Sequence, residues 1–150
     1  MTTHYQVAQR WAERATPEGD HKRDLRGHHM FTAGSRIYSY GFHHLIAQWY
    51  ELHNGERIVL FNTHRPSIST SKHHTITRRS LGYSARPRVF TVPFNELTLE
   101  NVKFYNNAIE TLEDRAKRAW VNGPRLLQQA ATLTAERDAY LIVLKGEGII

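Results

Sequence analysis

The sequence contains no cysteine among its 150 residues. Disulfide bonds and cysteine-based zinc or iron–sulfur sites are therefore excluded, and a reducing compartment such as the cytoplasm is the expected location. Long apolar runs are also missing, because the run at 139–144 is far shorter than the roughly 20 residues of a membrane-spanning helix. The N-terminus shows no basic segment followed by an apolar one, so we expect neither a signal peptide nor a membrane partner.

Carboxylates are missing from one long stretch of the chain. Between Arg57 and Asn95 there are seven Lys or Arg residues and no Asp or Glu. The wider segment 25–95 holds nine Lys or Arg against Glu51 and Glu56 alone, together with eight of the ten histidines. The net charge of +6 therefore arises in this segment, which predicts an acidic partner such as nucleic acid or an acidic protein surface. The alternative is that these cations lie on several faces or pair with the acidic C-terminal helices.

The fold class expected from the residue patterns is α+β, in a single domain over 1–150. An apolar period of three and four predicts a helix over 4–15. Alternating segments at 36–40, 44–52 and 57–63 predict a small antiparallel meander, since Asn54-Gly55 between two such segments is a strong hairpin signal. A further strand over 88–93 is expected at a sheet edge, because Pro93 cannot donate a ladder hydrogen bond.

Three helices are expected in the second half of the chain. A short helix over about 67–81 would be capped by Ser69, Thr70 or Ser71 and ended by Gly82. Segment 98–121 carries an apolar stripe, and 125–145 follows it after Asn122-Gly123-Pro124, so the two predict an antiparallel helical hairpin with Ile109 and Leu112 buried. The inner side of the return helix is expected to consist of these residues: Leu126, Leu127, Ala130, Ala131 and Leu133. The stripe could instead close on a second copy, giving a homodimer through the C-terminal helices.

A candidate anion-binding segment lies between Thr63 and Arg88. A hydroxyl-rich loop at Ser67–Ser71 would present backbone N–H groups at a helix N-terminus, where an anion is favoured. Lys72, Thr75 or Ile76, and Arg79 follow three-to-four spacing, and His74 and Arg78 lie four residues apart, so one helix face could be a basic ridge. The residues expected to bind the anion are His64, Arg65, Ser69, Ser71, Lys72, His73, His74, Arg78, Arg79, Arg86 and Arg88. Tyr38 and Tyr40 are further candidates, as aromatic rings on which bases could stack unless they pack beneath the helices.

The histidines allow two other interpretations. Adjacent pairs on a strand face opposite sides and do not chelate by themselves, so no metal and no cofactor is expected, although His28, His44 and His64 could meet across strands. Two imidazoles with nearby cations could instead act as general base and general acid in a metal-independent nuclease. His64 with His73 or His74 would supply the imidazoles for that reaction, and Lys72 with Arg78 or Arg79 the cations.

Several short runs resemble a family of small proteins of unknown function from bacteriophages and some bacteria. The runs are RIYSYG at 36–41, HLIA at 44–47, and STSKH at 69–73 with Arg78-Arg79, and the resemblance covers about residues 30–95. The family carries no assigned activity, so it transfers no catalytic residue. It implies expression in the cytoplasm of an infected bacterium, and it raises an inhibitor or modulator of a host or defence protein as a second class of function. The residues themselves favour a non-enzymatic protein that binds nucleic acid, with DNA and RNA not distinguished.

Overall fold

The computed structural model describes residues 2–15, 23–42, 44–64, 67–84 and 87–150. The predicted α+β class is confirmed, with four helices and one five-stranded sheet in that part of the chain. Two compact units are present, Met1–Asn95 and Glu96–Ile150, and each is described by itself. The expectation of a single domain over 1–150 stays a prediction. No helix in the described ranges is long and apolar enough to cross a membrane.

Helix α1, His4–Arg14, begins in the first unit at a reciprocal cap. The Thr3 hydroxyl accepts from the Gln6 N–H at 3.1 Å, and the Gln6 side-chain oxygen accepts from the Thr3 N–H at 2.9 Å. This capping box satisfies donors that the first turn leaves without helical partners. The apolar side of α1 is buried, and Trp11 is anchored there because its Nε1 donates to the Ser35 carbonyl at 2.8 Å.

The sheet follows chain order across its five strands. The strands are β1 (Met30–Ala33), β2 (Arg36–Ser39), β3 (Leu45–Glu51), β4 (Arg57–Asn62) and β5 (Arg88–Val92). Neighbours from β1 to β4 are antiparallel, which confirms the meander, and Gly55 in the β3–β4 turn adopts φ +87° as a hairpin glycine should. Strand β5 lies at the edge, as Pro93 predicted, and pairs parallel to β4.

Helix α2, Ile68–Ser84, connects β4 to β5 and differs from its prediction at both ends. The cap is Ser67 rather than Ser69–Ser71, because the Ser67 hydroxyl accepts from the Thr70 N–H at 3.1 Å. Gly82 does not end the helix, which continues to Ser84, and Gly82 is not among the glycines with positive φ. The predicted left-handed cap at this glycine is therefore wrong.

The core of the first unit lies where α1 packs against α2 and the sheet. Strand alternation directs Ile37, Ala47, Val59 and Phe61 toward one side of the sheet, where they join the apolar face of α1. Leu81 near the end of α2 completes this cluster. Because α1 and α2 are neighbours in the core, residues at the start of α1 lie beside α2.

The second unit is a pair of helices, α3 (Leu99–Arg118) and α4 (Gly123–Gly146). They run antiparallel, since the Asn101 amide donates to the Tyr140 hydroxyl at 2.9 Å while the Tyr105 hydroxyl donates to Glu136 at 2.5 Å. Burial raises the pKa of Tyr105 well above its usual range, and the bond to Glu136 acts in the same direction. This geometry confirms the predicted helical hairpin.

The inner face of this hairpin differs from its prediction on both helices. Leu127 and Ala131 are exposed, because each lies one residue, about 100° of helical rotation, beyond the buried pair Leu126 and Ala130. Leu133 is half-buried. On α3, Ile109 is buried as expected, whereas Leu112 is only half-buried.

Candidate functional site

Three cations share the exposed side of α2, and we call Lys72, Arg78 and Arg79 the basic ridge. All three side chains are exposed. Arg79 and Thr75 separate two shallow clefts, of about 400 and 480 Å³. The first cleft is also lined by Tyr5, Ile68, Ser71, Lys72 and Ile76, and the second by Phe61, Asn62, Thr63, Arg78 and Thr91. The three cations are therefore exposed beside these clefts, and their binding of an anion stays a prediction.

The side chains of the basic ridge differ in how firmly they are held. Arg78 donates from Nη1 to the Thr91 hydroxyl at 2.9 Å, and its guanidinium carbon lies 5.1 Å from the Phe61 ring centroid. Lys72 and Arg79 have no ion-pair partner in the part of the chain that the structure describes. One cation is therefore oriented in advance by its neighbours, and two more are available to an incoming negative charge.

The two carboxylates of segment 25–95 neutralise cations away from the ridge. Arg88 makes a bidentate pair with Glu56, through Nε at 2.6 Å and Nη2 at 2.8 Å. Arg57 is buried and lies 3.4 Å from a carboxylate oxygen of Glu51. Strand alternation also turns Arg88 to the opposite side of β5 from Thr91. The structure thus separates Arg88 from the basic ridge, although both fall within the predicted anion-binding segment.

Other predicted contacts are placed differently from the ridge. The segment from Ile68 to Ser71 is the first turn of α2 rather than a loop, and two early N–H groups already bond to Ser67. Ser69 is exposed and Ser71 half-buried, so an anion would meet side chains here more than a free helix N-terminus. His64 is exposed beyond β4, and its ring lies 6.1 Å from that of His44. Arg65 and Arg86 lie outside the described residues.

Two of the predicted contact histidines are buried. His74 lies on the buried side of α2. Its Nε2 is 2.9 Å from Nε2 of His44, and its ring packs against Phe61. His73 is 3% exposed, and its Nδ1 lies 2.6 Å from the Ser39 hydroxyl, which also contacts Thr70 at 3.3 Å. Neither imidazole is open to a large ligand.

His73 belongs to a group of rings that we call the imidazole cluster: His4, His28, His29, His73 and Tyr40. The His4 ring lies 4.6 Å from His73 and 6.1 Å from His29, by ring centroids. His28 lies 4.1 Å from His29, and Tyr40 lies 4.6 Å from His29 and 5.4 Å from His73. His73 is buried, His4 and His29 are half-buried, and His28 and Tyr40 are exposed.

Burial and mutual repulsion keep part of this cluster uncharged. Burial lowers the pKa of His73 to about 4, and the positive charges that His4 and His29 would carry act in the same direction. The pKa of His4 is also lowered, first by burial and then by His29 and His28. At neutral pH both rings are therefore neutral.

Tyr40 has a strained backbone at the edge of the imidazole cluster. Its φ of +65° is unusual for a bulky side chain, and it is the one non-glycine residue with positive φ in the described ranges. The Tyr40 N–H donates to the His29 carbonyl at 2.7 Å, which ties this conformation to the cluster. Strain of this kind is often found where a side chain must be presented to a ligand.

The aromatic residues of the sheet form a second exposed feature. Tyr38 is buried against Phe31 with ring centroids 5.1 Å apart, whereas Phe42 packs edge-on to both rings and is 73% exposed. Tyr38 is therefore closed to stacking, whereas Tyr40 and Phe42 expose aromatic rings. Sequence reasoning missed Phe42 because it lies in the turn that follows β2, outside the alternating pattern of the strands.

The histidines of the described residues include no group of three or more possible ligands arranged to hold a metal ion. His28 and His44, considered together with His64 across strands, lie in different ring clusters. No protein-family model, curated protein or solved structure matches this chain. Its function is therefore inferred from the side chains themselves.

Proposed function

We propose that the protein binds nucleic acid through the basic ridge on α2. The observation that carries this proposal is the exposure of Lys72, Arg78 and Arg79 along two adjoining clefts, of which Arg79 lines both. Phosphate contacts by Lys and Arg supply most of the affinity of sequence-independent binding, because each one releases condensed counterions. The arrangement suits a phosphate backbone, since two cations are available in the described part of the chain and the third is fixed by Thr91 and Phe61.

The distribution of negative charge supports the same proposal. Glu51 and Glu56 are engaged by Arg57 and Arg88, so the acidic side chains of this segment lie with other cations. Thr91 adds a hydroxyl group along one cleft, and the exposed Tyr5 and Tyr40 add aromatic rings. Hydroxyl donors and aromatic faces beside cations are typical of surfaces that bind single-stranded nucleic acid.

The test compares the wild type with a triple variant, Lys72→Ala, Arg78→Ala and Arg79→Ala. Binding to random oligonucleotides is measured across a salt series, and thermal melting is followed in parallel. We expect melting to change little, because exposed charges contribute about 0–1 kcal/mol each. Binding should weaken strongly, and the slope of log affinity against log salt concentration should become shallower by about 0.7 to 0.9 for every phosphate that is no longer neutralised.

A matched control uses three cations on the exposed faces of the second unit, Arg115→Ala, Lys117→Ala and Arg118→Ala. The control removes the same net charge without touching α2, so its binding should fall only slightly. Equal weakening in both triple variants would show that total charge rather than the ridge governs binding. If the wild type does not bind oligonucleotides at low salt, the proposal fails, and an acidic host protein becomes the partner to seek by pull-down.

A further inference from the structure

The imidazole cluster and the basic ridge are neighbours on the same part of the first unit. His73 follows Lys72 on α2, and His4 precedes Tyr5, which lines a cleft with Lys72 and Arg79. The His4 ring in turn lies 4.6 Å from His73. A strand of nucleic acid held by the ridge would therefore pass close to His4 and His29.

The groups in the cluster are suited to moving protons. His4 is neutral at pH 7 because burial and the neighbouring imidazoles lower its pKa, so it can serve as a base. His29 is half-buried, and the two ring centroids are 6.1 Å apart, which brings one phosphodiester within reach of both.

Ser39, which contacts the imidazole cluster through His73, does not offer a nucleophile. The Ser39 hydroxyl is fully buried, where it lies 2.6 Å from His73 and 3.3 Å from Thr70. His73 is positioned by this contact and packs behind His4. A substrate that carries its own nucleophile next to the phosphate, as the ribose 2′-hydroxyl does in RNA, fits this arrangement.

We propose that His4 and His29 cleave single-stranded RNA by general base and general acid catalysis, an inference that rests on nucleic-acid binding by the basic ridge. The His4 imidazole takes the proton of a 2′-hydroxyl as its oxygen attacks the adjacent phosphorus. The bond from phosphorus to the 5′-oxygen breaks, and that oxygen takes a proton from a ring nitrogen of His29. The products are a 2′,3′-cyclic phosphate and a 5′-hydroxyl, so no atom or electron pair is left over.

Tyr40 and Lys72 have supporting positions in this site. Tyr40 presents an exposed ring beside His29, held by its N–H bond to the His29 carbonyl, and can stack on a base next to the cleaved bond. Lys72 lies one residue from His73, where its ammonium can approach a phosphate. Both roles orient the RNA and leave the proton transfers to the two histidines.

The experiment incubates the full-length protein with labelled single-stranded RNA in EDTA and identifies the product ends. We expect cyclic phosphate ends from RNA and no cleavage of DNA of the same sequence. His4→Gln and His29→Gln should each lower the rate at least 100-fold, the lower range for loss of a general acid or base. His53→Gln, in the exposed β3–β4 turn, serves as the matched control and should keep the wild-type rate.

Binding to 2′-O-methyl RNA separates this inference from the proposed function, because that strand lacks the nucleophile. Binding without cleavage of ordinary RNA overturns the catalytic inference and leaves the ridge proposal standing. Absence of binding to either strand overturns both. Three further results would overturn the catalytic inference: cleavage of DNA, loss of cleavage in EDTA, or full activity in a folded variant with both His4 and His29 replaced by Gln. Melting curves establish that the variants are folded.

Discussion

His73 combines burial, a short hydrogen bond and neighbouring imidazoles in a single side chain. Its Nδ1 lies 2.6 Å from the Ser39 hydroxyl, and its ring faces those of His4 and Tyr40. Water is largely excluded, so a charge on this ring is costly in the folded protein. The sequence predicts an anion contact for the same residue. The burial of His73 against Ser39 has no local signal, because it depends on contacts between residues far apart in the chain.

Protonation of His73 should make stability depend on pH in one direction. The unfolded chain takes up this proton near pH 6.5, whereas the folded protein resists until about pH 4. The unfolded state therefore binds the extra proton between these values, and stability is full above pH 6.5 and falls as pH decreases toward 4. The decrease due to His73 is about 3 kcal/mol at the low end, since one pKa unit corresponds to about 1.4 kcal/mol.

Urea unfolding of wild type and His73→Gln at pH 7.5, 5.5 and 4.5 measures this contribution. The variant is expected to be less stable at pH 7.5, because it alters the contact with Ser39, and to show a smaller decrease on acidification. The comparison isolates His73 from carboxylates that titrate in the same range. Parallel curves for the two proteins would contradict a neutral buried imidazole.

Helices and strands were predicted best where their signals are local. Asn54-Gly55 specifies its turn through the backbone freedom of one glycine, and the apolar pattern of α3 specifies most of that helix. The start of α2 was not predicted, because Ser67 and three later hydroxyl residues offer similar caps. Their seven-residue separation places Lys72 and Arg79 on one side of α2, whereas the imidazole cluster requires α1 to lie against α2 and has no local signal.

Gly82 provides a test of where α2 ends. The glycine lies inside the helix, and a Cβ added there would meet no atom within 4 Å. Gly82→Ala should raise the free energy of unfolding by about 0.5–1 kcal/mol, because alanine favours the helix and has fewer unfolded conformations. Gly55→Ala, at φ +87°, is the contrasting variant and should lower it by about 1–2 kcal/mol. Destabilisation by Gly82→Ala in urea unfolding would restore the predicted cap.

Ile109 tests the packing of α3 on α4. Its side chain is 6% exposed, so Ile109→Ala leaves a cavity and should cost about 2–5 kcal/mol. Leu127 on α4 is 53% exposed, so the free energy of unfolding of Leu127→Ala should stay within about 0.5 kcal/mol of wild type. Denaturant unfolding followed by helical circular dichroism compares the two. Similar stability of both variants would mean that Ile109 is not part of a packed helical pair.

The charge of the whole molecule is unevenly distributed between its two units. The excess positive charge lies within Met1–Asn95, while the segment 96–150 carries a net charge close to zero. Within the first unit, Glu51 and Glu56 engage Arg57 and Arg88, which concentrates the remaining positive charge on residues such as those of the basic ridge. An anionic partner should therefore associate with the first unit, at a rate that falls as salt concentration rises.

Metal content is a second property of the whole molecule that can be measured directly. We expect no tightly bound transition metal after purification without a histidine tag, since the sequence has no cysteine and no His-x-x-x-His pair. Elemental analysis of the purified protein checks this expectation. One equivalent of zinc per chain would contradict it and would make the histidines ligands rather than proton carriers.

The parallel pairing of β4 with β5 has a consequence for the order in which the chain folds. Strands β1 to β4 meet through short turns, whereas β5 reaches β4 only after the segment 63–87, which contains α2, has been arranged. Closing a longer loop costs more chain entropy, and such long-range contacts form more slowly than hairpins. We expect the meander to form early and β5 to dock late. Thr91, which holds Arg78, lies on that strand, so the surface that would receive phosphates reaches its final form in the last steps of folding.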